Sequence, residues 1–359
     1  MKIVTVVGAR PQFVKAATVS RALSASNAGI SEVLIHTGQH YDARMSTVFF
    51  DELGIKAPEY NLGISGGLHG DMTGRMLQSI EHVLIAERPD WVLVYGDTNS
   101  TLAAALAASK LHMPVAHVEA GLRSFNMKMP EEINRIVTDR LSTILFCPTD
   151  GAIKNLEREG ATATLSLVGD VMYDAALHFA ALSDERSSIL DELALEAGSY
   201  ILATCHRAEN TDNEANLKEI LQGLCFIAET KKVVLPLHPR TRRMIIETGL
   251  TSLMTPLTII EPVAYLDMIS LEKNAEFIVT DSGGVQKEAF FFSVPCVTMR
   301  EETEWTETVD HGWNILTGAN ARKIRTAIDS HSQINKVPAS PYGDGRASER
   351  ICDALLGQR

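Results

Sequence analysis

The sequence is poor in cysteine, and the few it has are not grouped. Cys147, Cys205, Cys225, Cys296 and Cys352 are scattered, odd in number and without CxxC spacing. That argues against a zinc framework or a disulfide scaffold and fits a reducing cytoplasm. Basic charge is also short: 33 Lys and Arg against 45 Asp and Glu leave a net charge of −12. General binding to nucleic acid or to an anionic membrane is therefore excluded, and an anionic ligand must be met by a local cluster of donors. No apolar stretch reaches the length of a membrane span. The opening MKIVTVVGARP has a short apolar run that ends in a Gly-Arg-Pro turn, which is not a signal peptide. Short repeats and low-complexity tracts are missing too. So is the GxGxxG fingerprint of dinucleotide sites: Gly8-Ala9-Arg10-Pro11-Gln12 stands after the first strand instead. No nicotinamide, other cofactor or metal is expected.

What is present is a regular alternation. At 359 residues the default is two domains, and 45% hydrophobic residues with a mean hydropathy of +0.02 suit a globular chain. Apolar runs at 3–7, 32–36, 91–95, 115–118 and 144–146 read as buried strands. Segments near 12–26, 43–53, 72–87, 99–110 and 131–142 read as helices. Such βα alternation predicts a parallel sheet covered on both faces. The pattern breaks around 166–200 and then resumes, with strands expected at 200–204, 232–236, 256–260, 277–280, 296–299 and 313–316. The fold class is α/β, with two Rossmann-like doubly wound domains and a cleft between the C-terminal ends of their strands. The expected division is 1–170, 171–345 and a final helix at 346–359 that packs back across the domains.

Residues 280–288, TDSGGVQKE, follow the apolar run at 275–279. A strand ending in Ser282-Gly283-Gly284 before a helix presents unpaired N–H groups and the positive end of a helix dipole, which suits a diphosphate. Glu288 follows one turn later, where it could accept from a ribose hydroxyl; capping by Asp281 or Ser282 is the plainer reading. In the first half, Arg10 follows the first strand and Lys15 lies one turn on. Asp97, Glu119 and Glu131 each stand at or near the C-terminal end of a strand, with Arg123 and Arg135 close in sequence. Carboxylates gathered at one cleft perturb one another, so one can act as acid and another as base. The arginines count against a divalent metal there. In the second half, His206-Arg207 and His238-Pro239-Arg240 follow successive strands, and Arg300 follows another, as an anion-lined wall would require.

Taken together, GARPQ, TGQHYD, YGDTNST, HVEAGLRSF, MPEEINR, CHRAEN, LHPRT, TDSGGVQKEA and PYGDG run in order from the first strand to the last helix. This ordered set closely resembles the non-hydrolysing UDP-N-acetylglucosamine 2-epimerases. The resemblance implies a GT-B-like fold, a UDP-sugar substrate, a homodimer and no cofactor. It implies that Asp97, Glu119 and Glu131 carry proton transfer and that His206 assists the departing diphosphate. Ser282, Gly283 and Gly284 would hold the diphosphate, Glu288 the ribose and Arg10 the uridine–phosphate end. Lys15 and Arg135 match further substrate-binding positions. Gln39, His40, Arg75, Arg207 and His238 resemble a second UDP-GlcNAc contact region that activates some bacterial members.

Two departures point within the family. Gln12 stands where many members have Glu, and Trp305 follows Thr303-Glu304 where many have Arg. Both resemble a branch acting on UDP-2,3-diacetamido-2,3-dideoxyglucuronate. The lost charge at position 12 is expected to ease binding of a uronate carboxylate. The rival readings are a GT-B glycosyltransferase, a non-catalytic UDP-sugar sensor and a hydrolysing epimerase.

Overall fold

The computed structural model describes residues 1–26, 28–39, 54, 56–331 and 340–357, without the side chains of Arg10 and His331. His40 and the helix expected over 43–53 lie outside the described residues. The chain divides into two compact units, Met1–Ala175 with Ser340–Arg359, and Ala176–Ala339.

Unit 1 is built on seven parallel strands among the described residues: β1 Lys2–Val7, β2 Ser31–His36, β3 Tyr60–Asn61, β4 Trp91–Tyr95, β5 Val115–Val118, β6 Ile144–Cys147 and β7 Thr164–Leu167. Their order is β3-β2-β1-β4-β5-β6-β7. The central strands are buried along nearly their whole length, as WVLVY of β4 illustrates, because helices cover both faces. The helices are α1 Arg10–Ala25, α2 His69–Glu87, α3 Asn99–Lys110, α4 Pro130–Leu141 and α5 Asp150–Arg158, and α6 Val171–Arg186 begins in unit 1 and continues into unit 2. In α3 the small side chains of Ala103, Ala104, Ala105, Ala107 and Ala108 are all buried, so the helix lies close to both the sheet and α2. Helix α4 is different. Its buried positions are Glu132, Asn134, Arg135, Thr138 and Asp139, a polar face turned inward. Burying such groups is costly unless each finds a partner, so this face marks a site rather than a plain core.

Unit 2 repeats the scheme with β8 Tyr200–Thr204, β9 Lys232–Pro236, β10 Thr258–Ile260, β11 Phe277–Thr280, β12 Cys296–Thr298 and β13 Asn314–Leu316, in the order β10-β9-β8-β11-β12-β13. Its helices include α7 Ala208–Thr211, α8 Glu214–Ala228, α9 Pro239–Glu247, α10 Tyr265–Lys273, α11 Gly283–Phe291 and α12 Ala321–His331. Ile201, Ala203, Leu221, Leu224, Val279 and Val297 pack into one core layer of this unit, with Tyr200, Leu202, Ile278 and Cys296 in another. Each described strand lies within two residues of its expected bounds, except β7, which ends at Leu167 where the pattern breaks, and the two-residue edge strand β3, which the pattern did not announce.

The chain rejoins unit 1 at Ser340 and ends its described part in α13, Ala347–Gly357, which packs against α1. The Asp174 carboxylate accepts from the first amides of that helix, Ala347 at 3.0 Å and Ser348 at 2.7 Å. The amide of Asp170 donates to the Tyr342 carbonyl at 2.9 Å. These bonds explain the PYGDG segment: it is a docking turn within unit 1.

Candidate active site

In each sheet the strand order reverses once, between β1 and β4 in unit 1 and between β8 and β11 in unit 2. Ligands of doubly wound sheets bind outside the C-terminal strand ends at that reversal. One buried polar side chain ties the two turns together at each of these points.

In unit 1 that side chain is Gln12, 2% exposed. Its oxygen accepts from the amides of Gly8 at 2.8 Å and Ala9 at 3.0 Å. Its nitrogen donates to the Tyr95 carbonyl at 2.7 Å and faces the hydroxyls of Thr98 and Thr101 at 3.0 and 2.9 Å. Gln12 therefore joins the turn after β1 to the turn after β4. The neutral amide is spent on backbone and threonine partners.

Beside it the carboxylates gather. Gly96, at φ +59°, turns the chain after β4, and a Cβ there would come within 3.2 Å of Glu119 Oε2 and 3.5 Å of Lys15 Nζ. The absent side chain makes the room in which Lys15 pairs with Glu119. Glu119 itself sits in the left-handed region at φ +69°. That conformation is disfavoured for a residue with a Cβ and recurs at functional sites. Asp97 is paired with Arg135 of α4 at 2.5 Å, and its side chain keeps 31% of its surface. Desolvation raises the Asp97 carboxyl above its ordinary value and the Glu119 charge adds to this, while Arg135 and Lys15 oppose it. Thr98, not Asp97, caps α3 by accepting from the Thr101 amide. Glu131 is half-buried in the first turn of α4 and makes no hydrogen bond to the described residues. Its neighbour Glu132 is fully engaged: it accepts from the amides of Ser124 and Phe125, both at 2.9 Å, and from Arg135 at 2.8 Å. Desolvation would raise the Glu132 carboxyl, but these bonds hold it below its ordinary value.

In unit 2 the tie is Asp281, which has no exposed surface. It accepts from the amides of His206 and Arg207 and from the Asn210 side chain, each at 3.1 Å, and so holds the turn after β8 against the end of β11. The His206 ring is 48% exposed, with Nδ1 3.6 Å from Asp281. Ser282 caps α11 by accepting from the Val285 amide, and the amides of Gly283 and Gly284 have no protein acceptor among the described residues. Gly283 is also needed for space: a Cβ would come within 2.8 Å of Glu304 Oε1. Glu288 is buried and receives the Tyr265 hydroxyl at 3.4 Å. Burial of the nearby Glu272, reinforced by the Glu288 charge, drives the Glu272 carboxyl well above its ordinary range. Burial likewise lifts the Cys205 thiol, with Asp281 adding to it, so Cys205 is no ready nucleophile beside His206.

Arg300 does not join an open anion wall. It is 6% exposed and paired with Glu304 at 3.1 Å and Glu209 at 3.7 Å. Trp305 is buried, and the Lys287 ammonium lies 3.7 Å from its ring centre, a cation–π contact.

Of the residues compared to an activator region, His40 lies outside what is described, as does the side chain of Arg10, expected at the uridine–phosphate end. Gln39 accepts from the Ser100 amide and hydroxyl at 3.2 and 2.8 Å. Arg75 is paired with Asp71 and donates to the Gly66 carbonyl at 2.8 Å. His238 caps α9, accepting from the Arg240 amide at 3.2 Å. Desolvation lowers the His238 pKa, and the His206 and Arg240 charges add to the effect. Arg207 lies 3.9 Å from Glu209. Within unit 2, His238 thus senses the charge of His206.

The sequence reading missed the partners that hold these groups: Glu132, Asp139 and Asn134 on α4, and Asp281 as a tie instead of a cap. A run of buried polar residues on one helix face would have been the signal, had burial been visible. Among the described residues no group of His, Cys, Asp and Glu could hold a metal ion, and no helix is long and apolar enough to cross a membrane.

Comparisons with known proteins bear on the family of the chain. The sequence pattern of UDP-N-acetylglucosamine 2-epimerases matches residues 21–356. The UDP-2,3-diacetamido-2,3-dideoxy-D-glucuronate 2-epimerase of Pseudomonas aeruginosa is 54% identical over 360 residues, 99% of each chain. A UDP-N-acetylglucosamine 2-epimerase homolog of Methanococcus maripaludis is 52% identical over 359 residues, again 99% of each. The crystal structure of Methanocaldococcus jannaschii UDP-GlcNAc 2-epimerase in complex with UDP-GlcNAc and UDP matches with a TM-score of 0.91 at 44% identity, covering 99% of this chain and all of that one. The chain belongs to the UDP-N-acetylglucosamine 2-epimerase family.

Proposed function

We propose that this protein is a non-hydrolysing 2-epimerase of a UDP-linked N-acetylated sugar, with UDP-2,3-diacetamido-2,3-dideoxyglucuronate as its preferred substrate. The observation that carries the reaction class is the Asp97–Glu119 pair, in which each carboxylate has its own cation and the Glu119 charge helps raise the Asp97 carboxyl. The uronate preference rests on relatedness: 54% identity to the uronate enzyme against 45% to the Methanocaldococcus jannaschii UDP-N-acetylglucosamine enzyme.

The chemistry requires a base for the proton on sugar carbon 2, departure of UDP from carbon 1 to leave a 2-acetamidoglucal, then re-addition of UDP to carbon 1 with protonation of carbon 2 on the opposite face, which inverts carbon 2 alone. The proton and the diphosphate oxygen that leave are replaced in the second half, so atoms balance. Asp97 has a raised affinity for a proton, which brings it nearer to working pH and suits it to transfer. Glu119 and Glu131 serve the other face. Lys15 and Arg135 keep the acids from repelling one another into inactive geometry. The free amides of Gly283 and Gly284 and the cap of Ser282 receive the diphosphate, His206 offsets its growing charge, Glu288 receives the ribose and Arg10 the uridine end. The protein works as a homodimer in a reducing cytoplasm, in line with its free thiols. Gln39, His40, Arg75, Arg207 and His238 form the secondary proposal of an activating contact.

The test is proton NMR in D₂O with UDP-GlcNAc and with the diacetamido-uronate in parallel. Deuterium at carbon 2 together with a manno product supports epimerisation, and the faster substrate identifies the branch. Transfer to an acceptor, or release of free UDP and free sugar, would replace this reading by a glycosyltransferase or a hydrolysing epimerase.

A further inference from the structure

Behind the Asp97 turn, unit 1 buries a histidine that the proposed chemistry does not use. His117 lies on β5 with no exposed surface. Its Nε2 is 2.7 Å from the Gly96 carbonyl oxygen, and its Nδ1 is 2.7 Å from Asp139 Oδ1. A carbonyl oxygen only accepts, so Nε2 carries a proton. The other carboxylate oxygen, Asp139 Oδ2, accepts from the Gly121 amide at 3.2 Å and from Arg123 at 2.8 Å. An aspartate with this many donors is ionised and has no proton to give, so Nδ1 is a donor as well. A neutral ring with its Nδ1 lone pair facing the carboxylate would be repelled at this distance. The groups around the ring complete the balance. Arg123 also donates to Glu159 at 2.8 and 2.7 Å. The Cys147 thiol, pushed up to about 12 mainly by burial and also by Asp139, remains neutral. Glu119 Oε2 and Lys15 Nζ lie close to where a Cβ on Gly96 would stand.

We propose that His117 is a positioning residue for proton transfer: by donating from both ring nitrogens it locks the Gly96–Asp97 peptide against Asp139 and thereby aims the Asp97 carboxylate. The proposal rests on the reading that Asp97 carries a proton. Gly96 is bound to β5 through both its backbone polar groups, its N–H to the Val118 carbonyl at 3.0 Å and its carbonyl to His117. A planar peptide with a fixed carbonyl also has a fixed N–H, so the Asp97 amide is turned away from the core. Asp97 is then held at two further points, its carbonyl by Asn134 at 2.9 Å and its carboxylate by Arg135. The same Asp139 receives Gly121 N–H, two residues beyond Glu119. One imidazole–carboxylate pair thus sets the loops that carry both Asp97 and Glu119. Without the His117 donor, the Gly96 carbonyl is left unpaired in the core, and the turn must rotate to find a partner.

The proposal is tested with two variants and a spectrum. His117→Gln retains a donor that reaches toward Gly96 but gives up the bond to Asp139; His117→Phe retains ring volume and neither bond. A misplacement of about 1 Å costs on the order of 10²-fold in rate. The expected result is therefore a kcat lower by about 10²-fold in His117→Phe and about tenfold in His117→Gln, with KM within about twofold in both. Long-range ¹⁵N–¹H spectra of histidine-labelled wild-type protein identify the His117 ring by its loss in His117→Gln. Both of its nitrogens are expected in the protonated range. An unprotonated ring nitrogen overturns the proposal even if the phenylalanine variant does not fold. So does an unchanged kcat in His117→Phe, or a loss that falls equally on KM in both variants, which would make the residue a packing group. A wild-type protein that exchanges no carbon 2 proton refutes the functional reading instead, and the spectrum still reports on His117.

Discussion

Replacing Asp281 with Asn removes one charge and one acceptor from a fully buried tie. The carboxylate takes the His206 and Arg207 amides and the Asn210 side chain, each at 3.1 Å. An asparagine offers a single neutral oxygen, which in the place of Oδ2 must serve all three donors, while its NH₂ in the place of Oδ1 faces the His206 N–H. Charge-assisted bonds contribute roughly 1.5–3 kcal/mol each, and a buried donor left unmet costs about 1–3 kcal/mol. Losing the equivalent of one bond and part of the charge assistance gives about 2–4 kcal/mol, concentrated on the turn after β8. At 1.4 kcal/mol per factor of ten, amide exchange at His206 and Arg207 should speed up by between about thirty-fold and a thousand-fold. Thermal unfolding should fall by roughly 2–4 °C per kcal/mol for a unit of this size. A competing effect acts on ligand binding, since removing a negative charge near α11 favours a diphosphate. UDP affinity is therefore expected to change by less than kcat, which should fall by about 10²-fold as His206 loses its place. Hydrogen exchange followed by mass spectrometry across residues 204–211 reads the first effect directly. Wild-type protection of that segment, with kcat intact, would refute the view that Asp281 holds the turn.

Other outcomes follow from the same geometry. Arg135→Gln removes a cation that holds the Asp97 carboxyl down, so the Asp97 pKa rises further; the acid limb of the kcat/KM profile should move to higher pH, and kcat should fall by about 10²-fold. Gln12→Glu sets a carboxylate oxygen against the Tyr95 carbonyl and should cost roughly 1–3 kcal/mol, lowering activity on UDP-GlcNAc and on the diacetamido-uronate alike. A loss confined to the uronate would restore a role for position 12 in specificity. Glu132 has a folded pKa below its unfolded value, so it stabilises unit 1 above the unfolded value and loses that contribution as pH falls through the folded one. Glu132→Gln should therefore flatten the acid side of the stability–pH curve, measured by denaturant titration. Linear initial rates from the manno substrate without added UDP-GlcNAc would exclude the activating contact.

The architecture was legible because parallel strands covered on both faces read as unbroken apolar runs: WVLVY and YILAT can hardly be anything else. The site's ligand-facing residues were legible for a different reason. They follow those strands directly, and their residue types suit charge and phosphate. Their supports were not visible, because the supports act across the fold. The Gln12 nitrogen finds its partners 83 to 89 residues away, and Asp281 finds His206 at a separation of 75. Read locally, one looked like a charge difference and the other like a helix cap. His117 stands in VAHV, where period and hydropathy say only that a strand passes through. Nothing local reports that Asp139, one helix later, meets its ring.

The return of the chain to unit 1 at Ser340 imposes an order on synthesis. Unit 2 is one unbroken stretch and can close while translation continues. Unit 1 cannot, because Asp170 and Asp174 wait for Tyr342, Ala347 and Ser348. At about 5–20 residues per second, roughly ten to thirty seconds separate the emergence of Asp174 from that of its helix. During this interval the α1 surface that will receive α13 stays bare, and a chaperone has a defined window in which to shield it. A chain cut at Ala339 would carry every residue of the second unit joined to an unfinished first one.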